Sequence, residues 1–237
     1  MQEPCYGGRC TDRKTDYDVS YLIDGRYNSD PNLSNIFAYE ESVNAFYSQY
    51  GKKVDKLSYL LGLRFEDSRQ EIDQRTTNQF EIKKYSDWFP TLNLAYEFSK
   101  MESITFGYSK RVRRPRGWNI NPFPRRNSVT SVRRGNPFLD PTFTNSLEIG
   151  YLKRFDKFTI NGEVFYSNSK KNNVSITEET GELVTVTGGR GDETNPTLQV
   201  PVLESYPINL SENTRFGAVL NLTYTPSRSV RLNGSFT

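Results

Sequence analysis

The sequence predicts an all-β fold, an antiparallel transmembrane β-barrel segment of about eight strands that belongs to a larger barrel. Three observations predict it. Apolar and polar residues alternate with a period of two, short and long connections alternate between these runs, and aromatic residues gather at the run ends. Successive side chains of a strand point to opposite faces, so each run presents one apolar and one polar face.

The runs follow in order. Phe37 to Tyr50 gives a weaker first strand. From Leu57 to Glu66, the face of Leu57, Tyr59, Leu61, Leu63 and Phe65 opposes Ser58, Gly62, Arg64 and Glu66. From Trp88 to Phe98, Leu92, Leu94, Tyr96 and Phe98 oppose Thr91, Asn93, Ala95 and Glu97. From Ser103 to Ser109, Ile104, Phe106 and Tyr108 oppose small polar residues and Gly107. From Ser146 to Arg154, Leu147, Ile149 and Tyr151 oppose Ser146, Glu148 and Gly150. From Phe158 to Ser169, Phe158, Ile160, Val164 and Tyr166 oppose Thr159, Asn161, Glu163 and Ser167. From Arg215 to Tyr224, Phe216, Ala218, Leu220, Leu222 and Tyr224 oppose Arg215, Gly217, Asn221 and Thr223. A short last run spans Val230 to Phe236. No segment offers a period of 3.6, so helix content should be near zero.

Short connections fall at Gly51–Lys56, Ser99–Glu102, Asp156–Lys157 and Ser227–Ser229, and long ones at 68–87, 114–143 and 172–213. This rhythm is that of an outer-membrane barrel, with tight periplasmic turns and long extracellular loops. The organisation is then 1–35 as an extracellular loop and strand-end region, and 36–237 as barrel strands. Many runs approach the roughly 9–11 residues that a tilted strand needs to cross a bilayer. Tyr47, Tyr50, Tyr96, Phe98, Phe155, Phe158 and Tyr224 sit beside the short turns, as an interfacial girdle would. A soluble sheet with one wet face explains the alternation, but not the long strands and aromatic ends together.

Composition narrows function. The 237 residues hold 32 aromatics and no His, which excludes His-based triads, His–metal sites and His proton shuttles. No G-x-S-x-G, P-loop or G-x-G-x-x-G motif occurs, so the sequence offers no enzyme signature and asks for no cofactor. Net charge is +3, too small to imply nucleic acid. No stretch is apolar and long enough for a membrane helix, and residues 1–20 lack the apolar core of a signal peptide. Cys5 and Cys10 are either a small local bridge or two separate thiols.

At residues 88–155 the sequence becomes specific. Phe89-Pro90-Thr91-Leu92-Asn93-Leu94 is followed by Tyr108-Ser109-Lys110-Arg111, Arg114-Pro115 and Asn121-Pro122-Phe123. Gly135-Asn136-Pro137-Phe138-Leu139-Asp140-Pro141 and Glu148-Ile149-Gly150-Tyr151 come next. In order and spacing these pieces resemble the outer-membrane β-barrel family of TonB-dependent receptor-like proteins from Bacteroidota. The resemblance implies a large barrel, a plug domain in its lumen and TonB-coupled uptake or surface binding of a large solute. A structural or adhesive barrel without transport is the second reading. With short turns in the periplasm, residue 1 lies outside and the last run stops after about eight residues, so an internal piece of a longer barrel is expected.

Candidate sites follow from charge. Between Glu102 and Asp140 there is no acid, and Lys110, Arg111, Arg113, Arg114, Arg116, Arg125, Arg126, Arg133 and Arg134 are interleaved with Trp118 and Phe123. Of these, Arg113, Arg114, Arg116, Trp118, Arg125, Arg126, Arg133 and Arg134 are the candidates to meet lipopolysaccharide phosphates or an acidic ligand by charge-assisted contacts. A solvated loop packed by its aromatics is the plainer reading. Arg64, Glu66, Glu97, Glu148 and Glu163 fall on the polar face and are expected to line the lumen, as a permeation path or as a wall against the plug. Arg190-Gly191-Asp192 spells an adhesion tripeptide but reads better as a loop tip beside Gly188-Gly189. Glu178, Glu179, Glu182, Asp192 and Glu193 match no Ca²⁺-loop spacing, so no metal site is expected.

Overall fold

The computed structural model describes residues 8–17, 20–23, 26–29, 34–187, 197–210, 212–227 and 229–237, with backbone pairing alone before residue 34. In chain order the elements are β1 (Gly8–Tyr17), β2 (Ser20–Ile23), β3 (Arg26–Ser29), β4 (Asn35–Val54), β5 (Leu57–Gln74), β6 (Gln79–Ser99) and β7 (Glu102–Arg113). Then follow a single helical turn, α1 (Gly117–Ile120), and β8 (Arg125–Ser128), β9 (Ser131–Arg133), β10 (Thr142–Arg154) and β11 (Phe158–Lys170). The chain ends with β12 (Asn172–Thr187), β13 (Thr197–Leu210), β14 (Asn213–Ser227) and β15 (Val230–Phe236).

Nine strands form one sheet in the order β1-β4-β5-β6-β7-β10-β11-β14-β15, every neighbour antiparallel. Tight turns set the pairing. Val54 faces Leu57, so only Asp55 and Lys56 turn the chain, and Asp55 takes the left-handed φ of 50° that a two-residue hairpin requires.

Register carries the apolar face from β4 through β14. One row reads Tyr50, Leu61, Leu92, Tyr108, Leu147, Tyr166, Phe216 through consecutive partners. A one-residue slip at any strand would break that row, because it would turn every side chain over. Side chains of this row are open: Tyr50 is 57% exposed, Leu61 48%, Leu147 37% and Phe216 75%. A belt of exposed apolar side chains this wide is a membrane or partner surface rather than an ordinary wet face. The opposite row reads Gln49, Gly62, Thr91, Ser109, Ser146, Ser167, Arg215.

The packed core lies on the polar face, at the end opposite the short turns. There residues 114–141, a strap between β7 and β10, fold onto the wall. Ile120 and Leu139 of the strap bury themselves against Phe37, Tyr39 and Ile72 of β4 and β5, each 4% exposed or less. The strap is closed by its own backbone: Gly135 N–H donates to the Asn121 carbonyl and Asn136 N–H to that of Asn119, both at 2.7 Å. A Cβ at Gly135 would come within 2.6 Å of the Asn121 oxygen, so only glycine fits.

The sequence reading and the structure differ at the connections. Residues 68–87 are not a long loop: β5 runs to Gln74 and β6 starts at Gln79, leaving a four-residue turn with Asn78 at φ 53°. Apolar periodicity fades there because Ser68, Gln70 and Gln74 take the buried positions of the pattern. Residues 172–213 are largely the β12–β13 hairpin, and 114–143 contain α1, β8 and β9. Residues 1–35 are not all strand-end region, since β1 pairs with β4 along its full length. Helix is confined, among the described residues, to that one turn. Tyr47 leaves the expected aromatic girdle, because its register with Arg64 places it on the polar face. Cys5, the Arg190–Asp192 triplet and Glu193 lie outside the described residues, and Cys10 is described only as the backbone partner of Ser42.

Candidate functional site

The strap is tied to the wall by charged side chains, first among them the part-buried Arg114. Arg114 directs its guanidinium to the Glu66 carboxylate, donates to Ser68 Oγ at 2.8 Å and to Tyr85 Oη at 2.7 Å, and lies 3.6 Å from Glu41 Oε1. Glu66 is 6% exposed and also pairs with Arg64 at 2.6 Å. A carboxylate this far out of water needs opposite charge and donors, and the two arginines supply them. Two further bonds add to the tie: Gln74 Nε2 donates to Asn121 Oδ1 at 2.8 Å, and the Lys83 ammonium to the Leu139 carbonyl at 2.8 Å.

Between strap and wall lies a cleft of about 460 Å³. The wall contributes Phe37 and Tyr39; the strap contributes Trp118, Asn121, Phe123, Arg125, Asn127, Arg133 and Arg134. Its volume is in the range, roughly 300–1,000 Å³, of small-molecule sites. Arg133 caps the Trp118 ring at 4.8 Å, and Arg134 lies over Tyr206 at 4.5 Å with its Nε 3.0 Å from Glu204. The Tyr206 hydroxyl donates to Glu178 at 2.9 Å, and that bond holds the phenol above its ordinary pKa. β9 also pairs in parallel with β13, Leu203 to Ser131 through Ser205 to Arg133, so the four-stranded sheet β12-β13-β9-β8 buttresses the cleft.

Of the eight residues singled out in the basic segment, the structure gathers four, Trp118, Arg125, Arg133 and Arg134, into this cleft. Arg114 is an internal tie rather than a surface charge. Arg126 pairs with Glu182 at 2.7 Å outside the cleft. Arg113 is an exposed strand end opposite Thr142, and Arg116 is an exposed residue before α1. The sequence reading missed Phe37, Tyr39, Asn121 and Asn127. A run of Arg signals charge, but nothing in the local pattern reveals which distant strand packs beneath it.

The five polar-face charges share one face by register. Glu148 aligns with Gly107, Glu163 with Gly150, and Glu97 with Ser103. Glu97 is held by Lys53 at 2.7 Å, and Glu66 by Arg64 and Arg114. Glu148 and Glu163 line a recess of about 350 Å³ with Asn93, Thr105, Gly107 and Gly150.

An antiparallel wall with an exposed apolar belt on one face, polar residues on the other and folded structure gathered at the end away from its short turns defines an outer-membrane β-barrel segment. Comparison with known proteins agrees. The model of the outer membrane protein beta-barrel family matches residues 5–237, so the chain belongs to that family and its place is the outer membrane. The search of curated proteins found no match. Among solved structures, the hemophore receptor HasR of Serratia marcescens superposes with TM-score 0.56 at 13% identity, over 91% of this chain and 39% of that one. The siderophore receptor PirA of Pseudomonas aeruginosa gives 0.52 at 12% identity, over 97% and 50%. The FrpB iron transporter of Neisseria meningitidis in its apoprotein form gives 0.51 at 12% identity, over 80% and 24%. The chain thus spans half or less of these proteins, and the likeness is one of fold.

Proposed function

We propose that the chain is part of the wall of a TonB-dependent receptor-like barrel of the Bacteroidota type, and that it supports uptake or surface binding of a large solute. The observation that carries this reading is the strap. A wall that served only as an anchor needs no folded unit packed on its polar face, with a preformed cleft at the end away from the short turns. In this reading the apolar belt meets lipid, and the polar face lines the lumen. Residues 68–87, 114–143 and 172–213 lie on the extracellular side. Arg64, Glu66, Glu97, Glu148 and Glu163 form the lumen wall, and the recess at Glu148 and Glu163 receives the plug. The chain contributes binding and passage; no catalytic step is assigned to it.

The experiment deletes the encoding gene, and separately TonB, in the native host. Matched loss of growth on the same large solute supports import. Unchanged growth in both strains with lost surface attachment in the first identifies an adhesive or structural barrel instead.

A further inference from the structure

We propose that a groove in the apolar belt holds one acyl chain of a zwitterionic phospholipid, whose head group sits on the Lys153–Glu102 pair. This takes the belt as lipid-facing and the short turns as periplasmic, as in the reading above. The groove has a volume of about 340 Å³ and crosses β10, β11 and β14. Two rows of the register line it, Ile149–Val164–Ala218 and Tyr151–Gly162–Leu220. They follow the outward row Leu147–Tyr166–Phe216 toward the short turns, so the groove is continuous with the belt.

The polar end of the groove identifies its occupant. Tyr151, one of its walls, donates its hydroxyl to Glu102 Oε1 at 2.6 Å, and Lys153, one row nearer the turns, donates to Oε2 at 3.1 Å. The Lys153 ammonium also lies 5.5 Å from the centre of the Phe155 ring, and the Phe158–Tyr224 ring pair stands at the same end. Aromatic rings and snorkelling cations of this kind mark head-group depth. The Lys153 and Glu102 side chains are 35% and 26% exposed, so a head group can reach both. The occupant is therefore an amphiphile, with its head toward the short turns and its tail toward mid-membrane. A phosphoethanolamine head answers the pair charge for charge: its phosphate accepts from Lys153 and its ammonium donates to Glu102. A purely anionic head would set its phosphate against Glu102 as well. A second copy of the chain does not fit, since nine residues line the groove and a stable interface takes about 20–30 a side.

Gly162 shows how the groove is made. It pairs with Tyr151 on one side and Leu220 on the other, without a register shift along β11, so it marks no bulge. A Cβ there would meet Leu220 Cδ1 at 4.0 Å, an ordinary contact, so packing against Leu220 does not demand glycine. Gly217 on the opposite face is the contrast, since its Cβ would meet the Phe165 ring at 2.6 Å. Glycine inside a strand weakens it, and one that serves neither bulge nor bend leaves room for a ligand to approach closely. Lipid tails are as apolar as the wall, so the groove selects by dispersion contact along the chain and by its polar end.

The test uses the whole 237-residue chain, refolded in detergent and transferred to nanodiscs of phosphatidylethanolamine and phosphatidylglycerol in equal amounts with matched acyl chains. Native mass spectrometry counts the lipids that stay bound on release, and circular dichroism confirms the strand content of each variant. The expected result is one phosphatidylethanolamine retained per chain, in preference to phosphatidylglycerol. Retention should fall about tenfold in Gly162→Leu, whose side chain takes the place of the acyl contacts. Ala218→Leu repeats the test at a second position, for use if Gly162→Leu does not fold. Glu102→Gln should bring the two lipids to parity. Leu63→Phe, in the belt on β5, should retain lipid as the parent does. Equal retention by the groove variants and the parent, equal retention of both lipids by the parent, or chain dimers that the groove variants dissolve overturns the proposal. Trp88, beside Phe65 in the belt, reports the facing separately in a Trp118→Phe background. Its quenching by acyl-brominated lipid with no lipid retained counts against the groove alone, and no quenching overturns the lipid-facing reading beneath it.

Discussion

Removing the Arg114 guanidinium should free the strap while leaving the wall in place. Arg114→Met keeps most of the side chain's bulk but strips Glu66 of one of its two cationic partners and Ser68 and Tyr85 of their donor. The side chains of Arg114 and Glu66 are 19% and 8% exposed, so water screens the orphaned carboxylate poorly. Breaking a buried pair from one side costs about 3–5 kcal/mol, and the remaining Arg64 contact puts the expected loss at the lower end, about 3 kcal/mol. If the loss is confined to the strap, its opening equilibrium rises roughly a hundredfold, since each 1.4 kcal/mol is about a factor of ten. The assay is amide hydrogen exchange on the chain in detergent. Protection at Asn121, Gly135 and Asn136, whose backbone bonds close or seat the strap, should fall by that factor. Protection in the row from Leu61 to Tyr166 should not change. A second substitution, Glu66→Gln, should recover part of the loss, because a neutral amide tolerates burial better than an unpaired charge. Unchanged exchange at Gly135 and Asn136, or equal loss across the wall, would refute the view that Arg114 holds strap to barrel.

The remaining predictions concern facing, fit and surface charge. Ile149→Lys or Ile104→Lys, in the apolar belt, should impair assembly by about 2–4 kcal/mol near mid-bilayer, while Thr105→Lys on the other face is milder; equal folding yields into vesicles would contradict the assigned faces. Gly135→Ala should weaken the strap by about 1–3 kcal/mol because its methyl group meets the Asn121 and Asn119 backbone, seen as faster proteolysis within 114–141. The Lys53–Glu97 pair is half exposed on both sides, and a double-mutant cycle on melting should give less than about 1 kcal/mol of coupling; a larger value would mean that this end of the wall is sealed from water.

The wall was legible and the cap was not. All eight alternating runs appear as strands of the main sheet, because a bilayer on one side and water on the other impose period two on every crossing strand. The ninth, β1, escaped because its sequence, Gly8 to Tyr17, is charged and lacks an apolar face that repeats. Past the membrane the constraint lapses. Gln70 and Gln74 are as buried as Ile72, yet nothing in their local pattern separates them from loop residues. Of the basic segment, Arg125, Arg133 and Arg134 line the cleft. Arg114, the fourth positive residue of the same segment, is an internal tie instead, and its role depends on Glu66 far away in sequence. Tyr39 and Phe37 joined the cleft through long-range packing that no local spacing encodes.

The parallel pairing of β9 with β13 has a mechanical consequence. Arg134 N–H donates to the Ser205 carbonyl at 3.1 Å and Leu203 N–H to that of Thr130 at 2.9 Å, so two segments distant along the chain share backbone bonds. A solute that pushes the strap aside must drag the long hairpin with it, or break those bonds first. The two excursions from the wall are therefore coupled through backbone bonds, and displacing one strains the other.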